Sequence, residues 1–135
     1  MKEITVDAVS ESLGTVTDFV DAELEAIGCP FNIQMKVDIV IDEVFSNIVF
    51  YAYRGTVGSV TIRTETTTDP GSLTLTFIDS GIPYNPLNAE EPDVTLSVEE
   101  RKVGGLGIFI VKKTMDEVDY EYSGGRNILR LKKYI

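Results

Sequence analysis

Val9, Leu13, Val16, Val20, Leu24 and Ile27 recur at steps of three and four, the spacing of one face of an α-helix. Gly28 and Pro30 stand where such a helix stops. The pattern predicts a helix that follows a capping residue at Asp7 and runs to Ile27. Ahead of it, Ile4 and Val6 alternate with polar neighbours and predict a short strand over Met1 to Val6. A second helix is expected from an N-cap at Asn32. Its apolar members Ile33, Val37, Val40, Ile41, Val44, Ile48 and Ala52 gather on one side at about 100° per residue, and Gly55 is its expected end.

From Ser59 the period changes to two. Val60 and Ile62 alternate with polar residues, Asp69-Pro70-Gly71 is turn chemistry, and Leu73, Leu75 and Phe77 alternate with threonines, which together predict a β-hairpin. Val118, Tyr120 and Tyr122, a turn at Gly124-Gly125, and a return over Ile128 to Tyr134 predict another. Between the hairpins, Val103 to Glu117 holds a glycine-rich start and an apolar helix. Residues 82–102 show neither period and carry Pro83, Pro86 and Pro92 among the acids Glu90, Glu91, Asp93, Glu99 and Glu100. Unstructured loops of more than about 15 residues are uncommon unless functional or disordered, so this segment is expected to be a lid.

A chain of 135 residues, 43% hydrophobic and 25% charged, predicts one domain over residues 1–135 with a core of its own. Twelve basic against 22 acidic side chains leave a net charge of −10, the wrong sign for gripping a nucleic-acid backbone. No apolar run approaches the roughly 18 residues of a membrane span. Cys29 is the single cysteine and no basic, then apolar, leader opens the chain, so a cytoplasmic location is expected. The chain has no histidine, which excludes Ser-His-Asp hydrolysis, Cys-His proteolysis, histidine-ligated zinc and phosphorylation on its own histidine. Acid–base work falls to carboxylates, Lys, Tyr or Cys29.

Three groups of residues carry candidate chemistry. Glu43 and Asn47 lie four apart on the second helix and so share a side, about 120° and 80° from the centre of the apolar stripe by the helical period. That is the margin where a helix face meets a pocket wall. Asp79-Ser80-Gly81 follows directly on an apolar strand, which sets a carboxylate beside a backbone that a ligand can approach closely; the same triplet is also ordinary turn chemistry. Gly104-Gly105-Leu106-Gly107 runs into Ile108 to Lys113 as a glycine loop feeding a helix start, whose free N–H groups and positive dipole end suit phosphate oxygens. It matches neither the dinucleotide fingerprint nor the P-loop.

Taken in order, an E-x-x-x-N helix, a strand ending in D-x-G, a long lid and G-x-G at a helix start make the chain resemble the Bergerat-fold (GHKL) ATP-binding superfamily. Within it, the chain is most similar to the small stand-alone anti-sigma-factor serine/threonine kinases. The resemblance implies a two-layer α/β sandwich with a mixed, mainly antiparallel sheet, helices on one face and ATP between helix and lid. It implies that Asn47 coordinates Mg²⁺ at the phosphates, that Glu43 is the general base and that Asp79 accepts from the adenine amine. Gly81 then admits the purine, Gly104, Gly105 and Gly107 lie against the phosphates, and Arg101 or Lys102 meets the γ-phosphate. The partners implied are a sigma factor and a small antagonist protein phosphorylated on serine, with a homodimer possible; the alternative is a nucleotide-gated switch between partners that transfers no phosphate. Two positions depart from the family pattern: Tyr51 stands where many relatives have histidine, and D-x-G-x-G becomes Asp79-Ser80-Gly81-Ile82-Pro83.

Overall fold

Strand β1 (Lys2–Asp7) leads through a 3-10 turn at Ser10–Ser12 into α1 (Leu13–Ala26), and α2 (Phe31–Tyr51) follows. The hairpin β2 (Ser59–Thr67) and β3 (Ser72–Asp79) comes next, then a second 3-10 turn at Pro86–Asn88, α3 (Gly105–Thr114), and the hairpin β4 (Glu117–Ser123) and β5 (Arg126–Tyr134). This computed structural model describes residues 1–53, 56–88 and 105–135. Most of the expected lid, residues 89–102, lies outside the described residues, as do Val103, Gly104 and Gly55.

The five strands form one sheet in the order β1-β2-β3-β5-β4. Every neighbouring pair is antiparallel. The mixed sheet expected from the resemblance is therefore corrected to a wholly antiparallel one. The reason is the path of the chain: α1 and α2, joined by the short connection Ile27 to Pro30, form a helical pair that reverses direction, so β2 returns antiparallel to β1.

Helix starts also differ from expectation. Asp7 is the last residue of β1 and caps nothing, and α1 begins only at Leu13. In α2 the N-cap is Pro30, not Asn32: its carbonyl accepts from Ile33 N and Gln34 N, each at 3.0 Å. Proline suits a helix start because its fixed φ matches the helix and the N–H it lacks would have no partner there.

Alternation along the strands decides where the helices sit. Val60 and Ile62 of β2, Leu73, Leu75 and Phe77 of β3, and Leu129 and Leu131 of β5 share one face of the sheet and are buried. They form one cluster with Val16, Val20 and Leu24 of α1, Val37, Val40, Ile41, Val44 and Phe45 of α2, and Ile108 and Val111 of α3. All three helices thus cover the same face, and a two-layer α/β sandwich results. The other face carries Thr61, Arg63, Thr74, Thr76 and Arg130. Among the described residues no helix is long and apolar enough to cross a membrane.

One polar contact crosses the α1–α2 interface under strain. Asp21 Oδ1 and Asp38 Oδ1 are both shut off from water and have no hydrogen-bond donor among the described residues. Burial, then the facing Asp21 carboxyl and the charge of Asp18, push Asp38 up to about 7. Protonation of Asp38 would supply the missing donor. An unfolded Asp ionises near pH 3.9, so the stability tied to neutral Asp38 is full below about pH 4 and is lost as pH rises through about 7. Asp38→Asn keeps a neutral donor at every pH. Thermal unfolding followed by circular dichroism is expected to show a raised Tm relative to wild type at pH 8 and little change at pH 4.5; the same shift at both would mean that the carboxyl pair does not titrate in this range.

Candidate functional site

The C-terminal half of α2 and the ends of β3 and β5 enclose a cleft of about 530 Å³, its open mouth included. Val44, Asn47, Ile48, Tyr51 and Ala52 line it at helical spacing, one face of successive α2 turns. Phe77 and Asp79 line it from β3, and Asn127 and Leu129 from β5, because strand residues two apart share a face. Ile82, Tyr84 and Pro86 close one side and Ile108 of α3 another. The lining is mostly apolar, with a few polar groups placed on it.

Asp79 is the chief of these. It ends the core-facing row Leu73, Leu75, Phe77, so the alternation that buries the leucines also buries a carboxylate, which is only 6% exposed. Gly81 N–H and Asn127 Nδ2–H both donate to its Oδ1 at 2.9 Å. Burial raises the Asp79 pKa, while the hydrogen bonds from Asn127 and Gly81 pull it back. Both of these bonds fall on one oxygen, which leaves the carboxylate's remaining acceptor capacity to the cleft.

Gly81 is held against the end of α2. Ile82 N–H donates to the Ala52 carbonyl at 3.0 Å, and a Cβ at Gly81 would stand 2.6 Å from the Ala52 carbonyl carbon and nearer still to its oxygen. Only glycine fits this approach. Tyr53, just past α2, adds a brace: its hydroxyl donates to the Ser59 carbonyl at 2.6 Å and accepts from Ser80 N–H at 2.7 Å.

Glu43 stands one turn before Asn47 on α2 and meets α3 rather than the cleft lining. A Cβ at Gly107 would run into Glu43 Oε2, so Gly107 lets a carboxylate reach the first turn of α3. Gly105 is the first residue of that helix. The fold thus brings Asn47 and Asp79 into one cleft, packs Gly81 against Ala52 between the lining residues Asp79 and Ile82, and puts Glu43 and Gly107 in contact beside it. Arg101, Lys102 and Gly104 lie outside the described residues.

Sequence reasoning missed Asn127, Tyr120 and Tyr84. Asn127 is 6% exposed and is the Cα partner of Asp79 across the β3–β5 pair. Its signal was a polar residue in the buried row of Leu129 and Leu131. Tyr84 lies with its ring centroid 6.5 Å from that of Tyr51, and both line the cleft. Lys112 of α3 reaches the same neighbourhood, donating to the Leu87 carbonyl at 3.0 Å.

Comparison with known proteins agrees with this architecture. Residues 6–133 match the histidine kinase-like ATPase domain family. A serine-protein kinase RsbW of Bacillus mycoides (strain KBAB4) is 25% identical, with 98% of this chain and 84% of the relative covered. An anti-sigma F factor of Caldanaerobacter subterraneus subsp. tengcongensis is 30% identical over 70% of this chain and 66% of its own length. Among solved structures, the RsbU and RsbW domains of a Mycobacterium tuberculosis protein superpose with a TM-score of 0.62 at 16% identity. That match covers 98% of this chain, which spans about a third (32%) of the larger one. With its family match running nearly end to end and the cleft lying between α2 and the sheet, the chain belongs to the histidine kinase-like ATPase domain family and is similar to members of it that are named serine-protein kinase RsbW and anti-sigma F factor.

Proposed function

We propose that this protein is an ATP-dependent serine protein kinase of the anti-sigma-factor type, which binds a sigma factor and phosphorylates a serine of a small antagonist protein. The observation that carries the reading is the meeting of Asn47 and Asp79 in one apolar cleft beside the start of α3. An apolar slot with a single buried carboxylate suits a flat heterocycle bearing an amine donor. In this reading the adenine amine donates to Asp79, and Gly81 keeps the rim of the slot free of a side chain. The triphosphate extends past Asn47 toward the N–H groups at the start of α3, where the helix dipole favours negative charge. Such local dipoles matter in a chain whose net charge of −10 repels polyanions.

The residues fit Mg²⁺ in a limited way. Among the described residues no three His, Cys, Asp or Glu side chains form a cluster able to hold a metal. Asn47 offers an amide oxygen, a hard ligand, and Mg²⁺ ordinarily takes its other ligands from phosphates and water. When bound, the metal neutralises charge on the phosphates. Glu43 takes the proton of the substrate serine as the hydroxyl oxygen bonds to the γ-phosphorus. The bond to the β–γ bridging oxygen breaks and ADP leaves. Glu43 lies one helical turn from Asn47, which sets the base beside the phosphate end of the cleft rather than the purine end.

Asn47→Ala is expected to lower MgATP affinity about tenfold or more, equivalent to about 1.4 kcal/mol, with the fold retained. Calorimetry giving equal affinity would remove Asn47 as the metal ligand. Glu43→Gln is expected to bind ATP while losing roughly 10² to 10⁴ in transfer to the antagonist serine, the size of a general-base contribution. Transfer is read with ³²P-labelled ATP and partners recovered from the native cell; none by the wild type would leave a nucleotide-gated partner switch. Asp79→Asn turns an acceptor-only group into one that presents a donor, and should weaken ATP by about 1–3 kcal/mol. Inosine triphosphate, with a carbonyl oxygen in place of the amine, should lose less, and equal losses would make Asp79 structural.

A further inference from the structure

Asn127 makes a complete set of hydrogen bonds. One Nδ2 hydrogen goes to Asp79 Oδ1 at 2.9 Å and the other to the Ile82 carbonyl at 2.8 Å. Its Oδ1 accepts from Tyr84 N–H at 3.1 Å and from the Tyr120 hydroxyl. A carboxamide has two donors and an oxygen with two lone pairs, and here all four are used. The two acceptors lie on one side of the amide and the two donors on the other, so a flipped amide would face like with like at Tyr84 N–H, Asp79 Oδ1 and the Ile82 carbonyl, and only the Tyr120 hydroxyl, which can also accept, could adapt. Burial keeps the Tyr120 phenol above its ordinary pKa, and so a donor. In a buried site each of these groups would be costly to leave unpaired.

The four partners come from three places in the chain. Asp79 ends β3, Tyr120 is on β4, and Ile82 and Tyr84 belong to the segment that leaves β3 toward the expected lid. Asn127 itself is on β5, between β3 and β4 in the sheet. Among the described residues it is therefore the one side chain that ties the Asp79 carboxylate to the backbone after it and to the far sheet edge. We propose that Asn127 is the positioning residue for purine recognition: it locks Asp79 and the Ile82–Tyr84 backbone into a single unit, so that discrimination in favour of the adenine amine depends on Asn127. The inference rests on the reading of Asp79 as the adenine acceptor given above. The geometry dictates how it works. With Nδ2–H on Oδ1 beside Gly81 N–H, the carboxylate cannot rotate to offer that oxygen elsewhere, and its free acceptor capacity is aimed by the sheet rather than by the ligand.

The test uses the full chain, Mg²⁺, ATP and inosine triphosphate, with calorimetry. Asn127→Leu keeps the side-chain shape and removes all four bonds. Tyr120→Phe removes only the hydroxyl that holds the Asn127 oxygen, and decides the matter if the leucine variant fails to fold. The expected result is that Asn127→Leu loses about 5- to 150-fold in ATP affinity and much less for inosine triphosphate, collapsing the ratio between them, with Tyr120→Phe moving the same way by less. In an Asp79→Asn background, adding Asn127→Leu should change ATP affinity by under about threefold, because the two residues then act through one contact. A merely structural role would weaken both nucleotides alike and leave the ratio unchanged. If folded Asn127→Leu, or Tyr120→Phe in its place, keeps the wild-type ratio while Asp79→Asn loses it, the inference is overturned and the adenine reading stands. If Asp79→Asn keeps the ratio, both fall.

Discussion

A carboxylate set at the end of a buried apolar row must be given donors by its surroundings, because taking an ionised group out of water without partners costs several kcal/mol. In this sheet the row is Leu73, Leu75, Phe77 and then Asp79. The donors are Gly81 N–H, two residues on, and Asn127 on the adjacent strand. Much of the cleft follows from meeting that demand. The chain has to turn tightly after β3 for Gly81 to reach back, β5 has to pair with β3 in the register that sets Asn127 opposite Asp79, and α2 has to end where the turn packs against Ala52.

The helical layer is bound by the same geometry from the other side. Helix α2 buries Val37, Val40, Ile41, Val44 and Phe45 against the sheet, and this anchors the helix whose last two turns line the cleft. Asn47 and Tyr51 lie on those turns, between the buried stripe and the exposed side. A polar ligand group can meet such a margin without breaking into the core. Glu43 lies one turn earlier and is matched by a glycine on α3, so the contact between the two helices carries a carboxylate where a larger residue on α3 would exclude it.

Charge frames how such a cleft handles an anion. The long-range field of a chain with 22 acidic and 12 basic residues repels polyphosphates. Among the described residues, the short-ranged donors nearest the cleft are backbone N–H groups at the start of α3 and the amide of Asn47, while the Lys112 ammonium of α3 is taken up by the Leu87 carbonyl. The same segment after β3 is tied down at both ends of its described part, by Asn127 at Ile82 and Tyr84 and by Lys112 at Leu87.

Periodicity alone determined the elements. The steps of three and four through Val16, Val20 and Leu24 and through Val37, Val40, Ile41 and Val44 marked α1 and α2, and alternation marked the two hairpins, because one-sided burial imposes those periods on any sequence that packs. Spacing also placed Glu43 beside Asn47 and put Asp79 at a strand end. Helix starts at Leu13 and Phe31 were misread, since several residues near a helix start can serve as caps and the chain path selects among them. The antiparallel pairing of every strand, the partnership of Asp79 with Asn127 some 48 residues away, and the fit of Gly81 on Ala52 and Gly107 on Glu43 belong to tertiary structure alone. They depend on which strands become neighbours and how closely two backbones approach, and a hydrophobic period records which face of an element is buried but not what it is buried against.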